Sequence, residues 1–179
     1  MIGQIIKLEA ALMALPLIVA LVYKEWSNSL IFAGTAAAAA LLGFALTAIF
    51  RKAERTIYAK EGFVIVAIAW LSMSVIGAFP FYISGEIPSY IDAFFETVSG
   101  FTTTGASILT DVEALSKSLL FWRSFSHWIG GMGVIVLIMA ILPDNSGRSI
   151  YIMRAEMPGP VVDKIVPRIR DISKILYFI

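Results

Sequence analysis

From Ser29 to Phe50 the chain runs 22 residues without a single ionisable side chain. At about 1.5 Å per residue a helix over this stretch reaches roughly 33 Å, enough to cross the hydrocarbon core of a bilayer. Gly62 to Ser84 repeats the pattern, again free of Asp, Glu, Lys and Arg. Two further apolar stretches flank this pair. One runs from Leu8 to Tyr23, with Pro16 inside it and Trp26 just past its end; the other runs from Leu119 to Pro143, with Arg123 and His127 near its start. Four spans therefore fix lipid as the solvent. Composition agrees, since 15% of residues are charged where a soluble domain carries about a quarter.

Several function classes fall away at this point. The formal net charge of +1 offers nothing to nucleic acid. The absence of cysteine removes disulfides, thiolate catalysis and Cys-based metal sites, and His127 alone makes no His-rich centre. Lys7 and Glu9 sit where the first apolar run begins, and no small-residue cleavage pattern follows it, so the first span reads as a retained helix and not a signal peptide.

Basic residues set the orientation. Arg51, Lys52, Arg55 and Lys60 fill the loop between the second and third spans, and Arg148, Arg154, Lys164, Arg168, Arg170 and Lys174 follow the fourth. By the positive-inside rule both segments and the N-terminus are expected in the cytoplasm of a cell (inner) membrane protein. The stretch 85–118 is then external. There Glu86, Asp92, Glu96, Asp111 and Glu113 outnumber Lys117, giving a mouth that attracts cations.

Between the third and fourth spans, 87–100 is apolar and aromatic but too short to cross, and Asp92 and Glu96 interrupt it. Such a segment reads as a re-entrant or interfacial helix. Pro88 and Ser89 suit a helix start, with Pro in the first turn and Ser as cap, and Gly100 is expected to end the helix. Ile91, Phe94, Phe95 and Val98 share one face. Then comes Thr102-Thr103-Thr104-Gly105, poor in helix propensity and short in side chain. Irregular backbone at membrane depth survives only where protein buries it or water lines it. Threonine favours extended backbone and glycine allows positive φ, so carbonyls here could turn toward one axis and replace a monovalent cation's hydration shell. The negative end of the short helix would point to the same place.

The run Phe94-Phe95-Glu96-Thr97-Val98-Ser99-Gly100-Phe101-Thr102-Thr103-Thr104-Gly105-Ala106, with Trp122-Arg123-Ser124 and Trp128-Ile129-Gly130-Gly131-Met132-Gly133, resembles the first pore repeat of Trk/Ktr potassium transporters. These residues make up about an eighth of the chain, and the span order fits nearly all of it. The resemblance implies an all-α membrane fold of the potassium-channel kind. Residues 1–50 would form two leading helices and 51–61 a cytoplasmic loop. A first pore repeat would follow over 62–143, with a span at 62–84, a pore helix at 88–100, a filter at 102–106 and a span at 119–143. Residues 144–179 would be a cytoplasmic connector and the start of the next repeat. The filter ligands for potassium would be Thr103, Thr104, Gly105 and Ala106, without the tyrosine and second glycine of potassium-channel filters. Supporting residues would be Asp92, Glu96, Arg123, Gly130, Gly131 and Gly133. The resemblance also implies a homodimer of a longer parent, a cytosolic nucleotide-binding regulatory ring of the TrkA/KtrA kind as partner, ion-coupled symport or a passive path, and no cofactor beyond the transported ion. The fresh apolar pattern at 175–179 fits a chain that continues.

Plainer roles compete at individual positions. Glu96 is expected to pair with Arg123, because an unpaired charge at membrane depth is costly, and Arg123 also suits a snorkelling anchor. Asp92 serves equally as a cation attractor or an interfacial charge. His127 suits a hydrogen-bonded helix position. Gly130, Gly131 and Gly133 suit close helix packing, as does the Ala36–Ala40 run. An intramembrane serine protease built on Ser99 and His127 is the enzymatic alternative, weakened by Thr97 where that pattern has glycine. An accessory membrane subunit without its own transport is the other.

Overall fold

The computed structural model describes residues 1–50 and 59–131, and within them the only regular structure is helical. Most of the basic loop expected over 51–61, the second half of the fourth span with Gly133, and the connector 144–179 lie outside the described residues. Six helices follow in order: α1 (Ile2–Leu12), α2 (Ala14–Val22), α3 (Trp26–Ile49), α4 (Ala59–Ile83), α5 (Tyr90–Phe101) and α6 (Lys117–Gly131). Among the described residues three stretches are long and apolar enough to cross a membrane: Ile2–Val22, Trp26–Ile49 and Phe63–Ile83. Leu30, Leu41, Phe44 and Ile49 stand exposed along α3. So wide an apolar surface belongs against lipid or more protein, not water.

The first span begins earlier than Leu8, since α1 starts at Ile2 and takes in Lys7 as well as Glu9. Lys7 extends its ammonium over the Phe44 ring of α3 at 5.0 Å, while Glu9 is fully buried. Pro16 divides the span. It has no N–H to give the Leu12 carbonyl, so the helix breaks at Met13 and restarts with proline in its first turn. Helices α1 and α3 approach closely at paired glycines: a Cβ on Gly3 would meet the Gly43 carbonyl at 2.7 Å. Within the Ala36–Ala40 run Ala39 is buried, whereas Ala37 and Ala38 face outward.

Between α2 and α3 the chain turns through Lys24, whose φ of 59° is left-handed. The Lys24 amide donates to Leu21 and the Glu25 amide to Ala20. This is a Schellman turn, with lysine in the position glycine usually takes. Its consequence is distant. Glu25 is delivered to the start of α6, where its carboxylate accepts from the Lys117 and Ser118 amides at 2.8 and 3.1 Å and from the Ser118 hydroxyl. Those amides are among the four that a helix start leaves unbonded. Asn28 joins by donating to the Ser116 hydroxyl at 2.7 Å, and the Ser116 amide donates to Glu86.

Partial burial alone would raise the Glu25 carboxyl, but the hydrogen bonds from Ser118, Lys117 and Asn28 outweigh it and hold it below its ordinary value. A depressed carboxylate contributes stability that is present above its unfolded-state value and lost as pH falls through the folded one. Glu25→Gln is therefore expected to lower the melting temperature in detergent at neutral pH, with the gap to wild type closing in acid below the usual carboxylate range. A gap that stayed constant with pH would exclude this role.

The centre of the bundle is aromatic. Trp122 of α6 is fully buried, with ring centroids 6.3 Å from both Phe32 of α3 and Phe101 of α5. Its indole N–H donates to the Gly77 carbonyl of α4 at 3.0 Å. One side chain thus ties four helices and satisfies its own polar atom, as a buried tryptophan must.

Candidate functional site

Helix α5 starts at Tyr90, two residues later than the sequence suggests. Ser89 is the cap, with its hydroxyl accepting from the Asp92 amide at 3.4 Å, and Pro88 lies ahead of the cap instead of in the first turn. Asp92 sits in the first turn, where a carboxylate favours the helix dipole. The buried face is Ala93, Glu96, Thr97 and Gly100, turned to α4 and α6. Ile91 and Phe95, from the apolar face noted in the sequence, are exposed. The helix is inside out relative to a soluble one, with polar and small groups packed inward.

Gly100 does not terminate α5; the helix continues through Phe101. Termination comes from a second Schellman turn, in which the Thr103 amide donates to Gly100 at 2.9 Å and the Thr104 amide to Ser99 at 3.0 Å. The left-handed residue is Thr103, with φ of 56°. A β-branched residue here is strained, and strained backbone gathers at functional sites. Gly105 follows with φ of 75°, the positive value anticipated for it.

These turns consume the amides of 103–105 on the last turn of α5 and leave the carbonyls. Among the described residues the carbonyls of Thr103, Thr104 and Gly105 accept no hydrogen bond, and residues 102–106 are exposed. The Ala106 carbonyl differs, accepting from the Ser99 hydroxyl at 2.6 Å. One of its two lone pairs is thereby committed. The Thr102 hydroxyl bonds back to Val98 and lies 2.8 Å from that of Thr104.

A buried polar network holds the stretch that follows. Glu96, 1% exposed, pairs with Arg123 Nε at 2.8 Å through one oxygen. Its other oxygen accepts from the Ser107 hydroxyl and, at 2.7 Å, from the Ile108 amide. One carboxylate therefore joins α5, α6 and the two residues just past Ala106. The helices themselves meet at glycine. A Cβ on Gly100 would strike the Ser126 hydroxyl, and a Cβ on Gly130 would strike the Phe101 carbonyl. Gly131 is looser, with the Thr103 methyl at 3.8 Å from such a Cβ.

Helix α5 leaves just after α4 ends, and the chain returns to Glu86 and Glu25 where α6 begins. Both ends of 90–116 thus lie at one end of the bundle. The 12 residues of α5 span about 18 Å, well short of the roughly 30 Å of a hydrocarbon core.

The protease alternative finds no support in this geometry. Ser99 donates to Ala106, and His127 Nδ1 lies 2.8 Å from the Arg123 carbonyl; the two are not bonded to each other. No cluster of His, Asp and Glu fit to hold a metal occurs among the described residues. What sequence reading missed was the support: Ser99, Ser107, Ser126 and the left-handed Thr103.

The TrkH family model, that of a cation transport protein, matches residues 28–179. The chain belongs to the TrkH family. It is 40% identical to the Trk system potassium uptake protein TrkH of Escherichia coli (strain K12) over 99% of this chain and 37% of that relative. An uncharacterized cation transporter of Methanocaldococcus jannaschii is 38% identical over 85% of this chain and 31% of its own length. The crystal structure of the potassium transporter TrkH from Vibrio parahaemolyticus superposes with a TM-score of 0.73 at 32% identity, covering 98% of this chain and 34% of that one. The chain thus spans about a third of the length of the TrkH relatives it matches, and its all-helical membrane fold is that of their transporters.

Proposed function

We propose that this chain supplies one quarter of a potassium pathway, with residues 102–106 as its share of a selectivity filter. The observation that carries the reading is the exposed trio of carbonyls at Thr103, Thr104 and Gly105, unbonded among the described residues and just beyond the negative end of α5. Oxygens so placed replace water around a partly dehydrated monovalent cation, and the helix end adds favourable potential. Ala106 contributes its remaining lone pair. In the full-length protein three further repeats complete the ring. The protein sits in the inner membrane with its N-terminus in the cytoplasm, pairs as a homodimer, and takes its gating from a cytosolic nucleotide-binding ring. Relatives named as Trk potassium uptake proteins support transport over catalysis.

Gly105→Ser tests this. No atom lies within 4 Å of a Cβ there, so the substitution does not clash. Its cost is backbone strain of about 1–2 kcal/mol at a left-handed position, relieved by swinging the carbonyl off axis. Rubidium uptake by cells relying on the full-length protein is expected to fall on the order of tenfold, with weaker preference over sodium. Unchanged uptake and unchanged preference would overturn the assignment.

A further inference from the structure

Glu9 is a carboxyl the filter does not use. It is the eighth residue of the 21-residue span Ile2–Val22, it is wholly buried, and neither of its oxygens has a hydrogen-bond partner. The elements packed against α1 are α2, α3 and α4. The first two contain no ionisable side chain, and the described side chains of α4 include only Tyr82, whose ring packs edge-on against Tyr90. On α1 itself Lys7 is engaged over Phe44 of α3. On the pore-side helices Glu96 and Arg123 are paired with each other, and His127 meets the Arg123 carbonyl. No cation among the described residues serves Glu9.

Its position is specific. One carboxyl oxygen lies 3.3 Å from where a Cβ on Gly77 would be, and the same point is 2.8 Å from the Thr97 methyl and 3.2 Å from the Phe101 ring. The Gly77 carbonyl is also the acceptor for Trp122. Glu9 therefore lies beside a place in α4, Gly77, against which Thr97 and Phe101 of α5 are seated.

We propose that Glu9 is a proton-binding site within the membrane, carrying its proton against Gly77 and so linking protonation to the seat of the filter helix. An ionised side chain at this depth is costly without a partner. The neutral acid fits the space as found. On losing the proton the carboxylate must draw in water or a donor, and the Gly77–Thr97–Phe101 seam is what stands in the way. The link to ion flux rests on the filter reading above; the proton site itself does not.

The test has two arms. Infrared spectra of the chain in lipid at neutral pH are expected to show a protonated-carboxyl C=O band that vanishes on alkaline titration. It is expected to be absent in Glu9→Gln and in Glu9→Leu, the second variant guarding against a folding defect in the first. In cells carrying the full-length protein, rubidium uptake is expected to fall roughly threefold as pH rises through the range in which the band is lost. Glu9→Gln should keep its uptake and flatten that profile. A band that survives in both variants, or a profile that Glu9→Gln leaves unchanged, overturns the proposal. Wild-type cells that take up no rubidium at any pH, while the band behaves as described, would refute the transport reading and leave the proton site standing.

Discussion

Gly130→Ala is expected to abolish rubidium uptake in the full-length protein and to lower its melting temperature in detergent more than the same methyl added at Gly34 or Gly131. The new Cβ would strike the carbonyl of Phe101, with the carbonyl carbon and Cα of the same residue close behind. All three are backbone atoms, so no rotamer change relieves the contact. Overpacking a well-packed site costs about 1–3 kcal/mol, and a site with only backbone to yield belongs at the upper end. What moves is the α5–α6 seam, and Phe101 is the last helical residue before the Thr-Gly stretch. Stability and the proposed ion path are therefore expected to suffer together. Gly34→Ala is the control, since nothing lies within 4 Å of a Cβ there and alanine favours an exposed helix interior by about 1 kcal/mol. Equal melting temperatures for the Gly130 and Gly34 variants would show that α6 does not rest on Phe101 through Gly130.

The membrane spans were legible because a run of twenty uncharged apolar residues admits few other solutions. Their edges were not. Lys7 and Glu9 looked like the end of a span, since a charge in hydrocarbon is normally excluded. Yet one is engaged with the Phe44 ring of α3 and the other is buried beside Gly77 of α4, and neither partner is visible from α1 alone. The site was legible in the same partial way. Gly105 announced its positive φ, because glycine is the residue that takes it freely. Thr103 could not, because threonine is ordinarily a reason to expect extended backbone, and its left-handed geometry comes from the Schellman turn closing α5. Gly100 drew the wrong inference for a related reason. Its value lies in the missing Cβ beneath Ser126, a contact across 26 positions that no local pattern encodes. The Glu25 cap spans 92 positions to Lys117 and was equally invisible.

Arg123→Ala is expected to cost about 3–5 kcal/mol, the range for removing one partner of a buried ion pair. The Glu96 side chain is fully buried and that of Arg123 is 14% exposed, so water cannot easily replace the guanidinium. The pairing itself was foreseeable from two opposite charges at membrane depth. The division of labour between the carboxylate oxygens was not. One faces Arg123, and the other holds Ser107 and the Ile108 amide. A stranded carboxylate would seek water and pull on that second set, which begins one residue after Ala106. The loss should therefore reach ion selectivity as well as melting temperature, and uptake of rubidium against sodium reads the first while unfolding in detergent reads the second. The double variant Arg123→Ala with Glu96→Gln removes the stranded charge while leaving an oxygen able to accept from Ile108. It is expected to recover more than about 1 kcal/mol relative to the sum of the single variants, as groups in direct contact do. Strict additivity would mean that each residue acts alone, Arg123 as a surface anchor and Glu96 as a loop clasp, and the connection between the α6 charge and the proposed filter would fail.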